Sequence, residues 1–181
     1  MKEVFKNLFI CSQLDCERNV FDEKACSFVF AAKEPWHRQA VGYTGRACDK
    51  SHPEYLWAYR DGNKLILNMV DANSSLFFDK SMIDEALNFI ELEMSKGKTA
   101  FIVCNKGESR SASIGLLYLI KHGIIKGETL EDCEAEYLKI YPNYNPGKGI
   151  REFMKMNWRE YAMKITCFDD GLEFDDGCKF E

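Results

Sequence analysis

Apolar residues follow two rhythms along this chain, and the switch between them draws most of the elements. Short runs of branched and aromatic side chains suit buried strands: Leu8-Phe9-Ile10, then 26–31 (CSFVFA), then 100–103 (AFIV). Residues 55–59 and 64–70 read as a hairpin around Asp61-Gly62-Asn63, a stretch with turn chemistry. Elsewhere the spacing is helical. Met82, Ile83, Ala86, Leu87, Ile90 and Met94 recur three and four apart, with Asp79 or Ser81 as the cap and Lys96-Gly97-Lys98 at the far end. Residues 113–122 carry Ile114, Leu116, Leu117, Tyr118, Leu119 and Ile120, which surround a helix almost completely and predict its burial. Gly123 sits where such a helix wants a left-handed residue to stop. Thr129 caps a further helix that ends before Pro142, and Asn145-Pro146 opens a last one running to about Ala162.

One segment breaks both rhythms. Residues 32–54 are polar and interrupted by Pro35, Gly42, Gly45 and Pro53. A loop this long inside a compact chain is uncommon and is often functional. It carries Lys33, His37, Arg38, Arg46 and Lys50, with Trp36 and Tyr43 as a possible aromatic wall. It reads either as a flap that helps choose substrate or as a solvated excursion pinned by its aromatics.

Composition narrows the class. The chain has 181 residues, 46% hydrophobic and 29% charged, which fits one ordinary globular domain. A net charge of -5 argues against general nucleic-acid binding but leaves room for a locally positive cleft. No apolar run is long enough for a membrane span. The N-terminus, with Glu3 and Lys6 and no long apolar core, is not a convincing signal peptide. The eight cysteines include no Cys-x-x-Cys pair, which gives zinc little support; they read as mostly structural, reduced thiols of a cytoplasmic protein. From Ile165 the chain turns acidic, with Asp169, Asp170, Glu173, Asp175, Asp176 and Glu181 against Lys179. That tail, 165–181, reads as a solvated end, or else as a gate over a positive cleft. No metal or cofactor is called for.

The chemistry concentrates between the 100–103 strand and the 113–122 helix, in Cys104-Asn105-Lys106-Gly107-Glu108-Ser109-Arg110-Ser111. A turn from strand into helix lets backbone N–H groups converge on one point, where the helix N-terminus adds partial positive charge. An oxyanion there is held by those amides and by the planar fork of Arg110. The same field favours the thiolate of Cys104, a nucleophile beneath a cradled phosphate. A bare Cys-x5-Arg spacing is weak, but strand, Gly107, Ser109, Ser111 and helix narrow it. Such a nucleophile needs a proton donor for the leaving oxygen. Asp71 leaves the C-terminal end of an apolar strand, where open α/β sheets place their sites. Its rivals Asp79 and Asp84 fall where helix capping or a first-turn charge explains them. Lys106 either adds charge at the mouth or is merely solvated.

The stretch resembles the signature loop of the cysteine-dependent dual-specificity phosphatases in the protein tyrosine phosphatase superfamily, His-Cys-x-x-Gly-x-Ser-Arg-Ser. It matches at Cys104, Gly107, Ser109, Arg110 and Ser111, and departs at Val103, where the family has histidine. The fold this resemblance implies is α/β, a central mixed and largely parallel sheet flanked by helices, in a single catalytic domain over 1–164. The implied activity is hydrolysis of a phosphorylated protein or peptide through a phosphocysteine. Cys104 is then the nucleophile, Asp71 the acid and base, and Asn105, Lys106, Gly107, Glu108, Ser109 and Arg110 the phosphate cradle. Ser111 hydrogen-bonds the sulfur and eases its departure. Two alternatives stay open: a phosphate-binding module with little turnover, motivated by Val103, and a phosphatase acting on a lipid, nucleotide or RNA phosphate. Tungstate or vanadate docking above the sulfur belongs to the enzymatic reading.

Overall fold

A computed structural model of the chain describes residues 1–163. The tail from Ile165 lies outside the described residues. Six strands form one sheet: β1 (Lys2–Phe5), β2 (Leu8–Ser12), β3 (Cys26–Phe30), β4 (Trp57–Arg60), β5 (Lys64–Leu67) and β6 (Thr99–Cys104). Their spatial order is β1-β2-β6-β3-β5-β4. The four central strands run parallel to one another, and β1 and β4 add antiparallel edges. This is the mixed, largely parallel sheet of a single α/β domain expected above. The helices are α1 (Gln13–Arg18), α2 (Arg38–Val41), α3 (Lys80–Ser95), α4 (Arg110–Lys121), α5 (Leu130–Ile140) and α6 (Lys148–Met163).

Side chains alternate across β6, and each face of the sheet has its own core. Ala100, Ile102 and Cys104 face the larger core, built with α3, α4, α5 and α6. There α4 packs against β2 and β6 on one side and against α3, α5 and α6 on the others. That is why its sequence is apolar all round and its residues Arg110 to Ile120 are all buried. Phe101 and Val103 face the opposite core with Phe28, Phe30 and Ile66. Register makes this face an aromatic ladder. Phe9, Phe101 and Phe28 are direct cross-strand partners, and their rings stack at 5.2 and 5.3 Å between centroids.

Differences from the expected boundaries have local causes. β1 was not foreseen because only Val4 of its four residues is buried, the mark of a polar edge strand. The short α1 carries no buried residue; its signal is instead a capping box between Ser12 and Asp15. β5 ends at Leu67, so Asn68 to Asp71 form an extended exit rather than strand. α3 takes Asp79 as its cap, through an N–H···O bond of 2.8 Å from Ser81. α4 begins three residues earlier than the apolar pattern, at Arg110, and α6 begins at Lys148 rather than at Pro146. Within 32–54, Lys33–His37 makes an irregular turn that runs into α2.

Candidate active site

β6 delivers Cys104 and α4 begins at Arg110, so the loop between them closes a strand–turn–helix unit at the C-terminal ends of the parallel strands. Its shape is fixed from outside. The carbonyl of Asn105 accepts from the Gln13 N–H at 3.2 Å, that of Gly107 from the Tyr141 hydroxyl at 3.0 Å, and that of Glu108 from the Asn145 N–H at 2.9 Å. With the carbonyls drawn outward, the amides are left for the concave side. Gly107 has φ +81°, and a Cβ there would lie 3.1 Å from Ser12 N and 3.2 Å from the Cys11 carbonyl carbon. Both the left-handed backbone and the close approach to β2 require glycine.

The sulfur of Cys104 sits at the floor, 1% exposed. The Gly107 N–H donates to it at 3.3 Å, and the Ser111 hydroxyl lies 3.1 Å away. Above it, α4 starts without a side-chain cap, whereas α1, α3 and α5 are all capped. The unsatisfied N–H groups of that first turn favour an anion. Arg110 is buried. Its Nη1 donates to the Met69 carbonyl at 3.1 Å and its Nη2 to Asn105 Oδ1 at 2.6 Å. Its Nε is buried with no hydrogen-bond partner, a donor held in reserve beside the sulfur-bearing loop.

Asp71 faces this floor. Its Oδ2 is 3.7 Å from Arg110 Nε, and its Oδ1 accepts from the Ser109 hydroxyl at 3.1 Å. Ser109 Oγ in turn accepts from the Gly147 N–H at 2.9 Å. The rivals are committed elsewhere: Asp79 caps α3, and Asp84 pairs with Lys80 at 2.9 Å. The structure therefore gathers Cys104, Asn105, Lys106, Glu108, Ser109, Arg110 and Asp71 around one cleft of about 320 Å³, with Gly107 and Ser111 behind its floor.

Three further residues line the cleft: Asn73, Asn145 and Gly147, the last from a 146–150 stretch that loosely resembles the Pro-Asn-x-Gly-Phe segment of the phosphatase family. Glycines 147 and 149 bring the start of α6 against the Asp71 loop. A Cβ on Gly147 would meet Asp71 Oδ1 at 2.7 Å, and one on Gly149 would meet the Ala72 carbonyl at 2.3 Å. Nothing in the sequence marked Asn73 or Asn145 as lining residues.

Val103 is fully buried on the far face, and its carbonyl accepts from the Ala31 N–H at 2.7 Å. Its side chain supplies no hydrogen bond to the loop, which leaves the outward anchors described above to hold its shape. The aromatics of 32–54 do not wall the cleft. Trp36 packs on Phe30 at 5.0 Å, and Tyr43 lies beneath the Arg38 guanidinium at 4.8 Å. His37 is buried, with Nε2 2.9 Å from the Glu54 carbonyl and Nδ1 3.4 Å from the Tyr43 hydroxyl; burial pushes it below the ordinary histidine range. Lys33 Nζ donates to the Arg46 carbonyl at 2.6 Å. Among the described residues the six cysteines are free, and no group of three His, Cys, Asp or Glu side chains is placed to hold a metal. Burial pushes the Cys11 thiol up to about 12.

No family model matches the chain. A probable dual specificity protein phosphatase of Dictyostelium discoideum is 46% identical over 66 residues, 34% of this chain and 23% of the relative. The chain thus spans about a quarter of that relative's length. Among solved structures, DUSP15 superposes with a TM-score of 0.62 at 17% identity, covering 93% of this chain and 96% of that one. PTPMT1, solved in complex with PI(5)P, superposes with a TM-score of 0.55 at 18% identity, covering 90% of this chain and 96% of that one.

Proposed function

With the fold of the dual-specificity phosphatases of the protein tyrosine phosphatase superfamily, and a stretch of sequence in common with one of them, as the premise, we propose that this chain hydrolyses phosphate monoesters through Cys104. One observation carries the reading most. A buried sulfur, hydrogen-bonded by Gly107 and next to Ser111, lies at the uncapped start of a helix beside an arginine Nε that makes no hydrogen bond and stands 3.7 Å from Asp71.

The chemistry follows from those positions. The substrate's phosphoryl oxygens sit against the loop amides and Arg110, whose Nε gains the acceptor it lacks. Donors fixed in advance around the transferring group supply most of the barrier reduction, because they need no reorganisation. Cys104 Sγ attacks phosphorus and the P–O bond to the alcohol breaks, while Asp71 gives that oxygen a proton. Water then attacks the phosphocysteine and passes a proton to Asp71. The S–P bond breaks, phosphate leaves, and the returning thiolate is met by the Ser111 hydroxyl. Ser109 holds Asp71 in reach of both half-reactions.

The substrate we favour is a phosphorylated protein side chain, supported by the name of the Dictyostelium relative. The PI(5)P complex of PTPMT1 makes a phosphoinositide the comparison substrate. A cytoplasmic setting fits the free thiols. The test is hydrolysis of p-nitrophenyl phosphate by the wild type and by Cys104→Ser. Turnover in the first and none in the second is expected. An inert wild type that still binds tungstate would replace the enzyme with a phosphate-binding module.

A further inference from the structure

Next to the cleft lies a second cavity of about 740 Å³, more than twice as large. The two are divided by a single stretch of chain: Val70 lines the larger and Asp71 the smaller. Just behind that divider, the Met69 carbonyl accepts both from Arg110 Nη1 at 3.1 Å and from the Lys33 N–H at 2.8 Å. One wall comes from the long polar segment, through Lys33, Ala47 and Lys50, and from Tyr55 and Leu56 just after it. The near wall is the turn leading into α3. There Leu76 and Phe77 stand 93% and 61% exposed, side by side. Isolated exposed apolar residues need no explanation, but an adjacent pair on the lip of a cavity is an unfilled contact surface.

Charge selects among occupants. Three lysines, Lys33, Lys50 and Lys80, face one aspartate, Asp79, whose Oδ1 is already used by Ser81 as the cap of α3. Two of the ammonium groups are committed. Lys33 bonds the Arg46 carbonyl, and Lys80 pairs with Asp84 at 2.9 Å and Glu160 at 3.4 Å. Lys50 makes no ion pair among the described residues. The cavity therefore offers one uncommitted cation beside an apolar lip. That matches a single carboxylate next to an apolar side chain, and not a polyphosphate.

We propose that this cavity is a docking subsite for the polypeptide flanking the phosphorylated residue, and that it takes an acidic side chain at Lys50 beside an apolar one on Leu76 and Phe77. The inference rests on the phosphatase reading of the neighbouring cleft. Val70 and Asp71 are consecutive residues, so an extended peptide, rising about 3.3 Å per residue, that passes over them places its side chains toward both spaces. The polar segment 32–54 then acts as the specificity wall rather than a solvated excursion.

The test compares kcat/KM for phosphopeptides whose flanks are acidic-apolar or all alanine, using the wild type, Lys50→Glu and Phe77→Ser, with p-nitrophenyl phosphate as the small control. The wild type is expected to favour the acidic-apolar flank at least tenfold. Lys50→Glu should abolish that preference, and Phe77→Ser should reduce it. Both variants should keep the wild-type rate on p-nitrophenyl phosphate within about twofold, since neither residue lines the cleft. Equal kcat/KM for all flanks in an active wild type overturns the docking proposal and leaves the phosphatase reading standing. No turnover of p-nitrophenyl phosphate strikes that reading instead. Flank preference is then read as the affinity of fluorescein-labelled peptides, and its absence there overturns the docking proposal. So does a Lys50-dependent binding to phosphatidylserine vesicles without any peptide preference.

Discussion

Ser109→Ala isolates the link between the proposed acid and the loop beneath it. The hydroxyl donates to Asp71 at 3.1 Å and accepts from the Gly147 N–H at 2.9 Å. A hydrogen bond to a charged group contributes about 1.5–3 kcal/mol, but Asp71 is 45% exposed and water replaces part of it. We take about 1.4 kcal/mol for the loss of positioning, which is roughly tenfold in rate. General acid catalysis as a whole supplies about 10²–10⁴-fold, so the variant keeps most of it, unlike Asp71→Asn. The expected signature is selective. kcat/KM should fall about tenfold for phenyl phosphate, whose leaving oxygen needs the proton, and much less for p-nitrophenyl phosphate. The lost Gly147 bond should also lower stability by about 1 kcal/mol, or a Tm drop of about 2–4 °C. Steady-state kinetics over a series of aryl phosphates, together with thermal melts, reads both. An equal fall for every leaving group, or no fall at all, would refute the positioning of Asp71 by Ser109.

Two further outcomes follow from the geometry. Gly107→Ala should cost about 1–2 kcal/mol for the left-handed backbone alone. Its Cβ would also press on the Ser12 and Cys11 backbone, so kcat on p-nitrophenyl phosphate should fall about a hundredfold with the loop displaced; an active, stable Gly107→Ala would contradict the account of the loop. His37 is held neutral by burial, below its ordinary range, with Glu54 partly opposing the shift. Its contribution to stability is therefore complete above about pH 6.5 and is lost as pH falls through the depressed value. The drop in Tm from pH 7 to 5 should be shallower in His37→Gln, and parallel slopes would remove His37 as a cause.

How much was legible follows from where the signal lies. Strands β3 and β6 and helices α3 and α4 were readable because their apolar residues are many and their partners surround them. α4 is the clearest instance, since a helix packed on all sides carries no polar stripe. The 104–111 loop was readable because its residues are local: Cys104, Gly107 and Arg110 lie in one strand-to-helix turn. Asp71 was reachable from the strand that precedes it and from its place one helix ahead of Cys104, where the resembled family has its acid. The remainder was hidden because it is made by long-range contact. Tyr141 and Asn145 reach the loop from after α5, and Gln13 reaches it from the first position of α1. Trp36 and Tyr43 misled for the same reason. Their composition suited a cleft wall, but Phe30 and Arg38 claim their rings.

The outward tethering of the 105, 107 and 108 carbonyls has a consequence for selectivity. A receptor whose form is settled by its own neighbours takes hold of the tetrahedral anion alone and is indifferent to the rest of the molecule attached to it. Recognition of a particular ester then falls to surfaces that never touch phosphorus, and these can change without disturbing the reaction. Free inorganic phosphate satisfies the same receptor, so under the proposed phosphatase reading the released product competes with each new substrate.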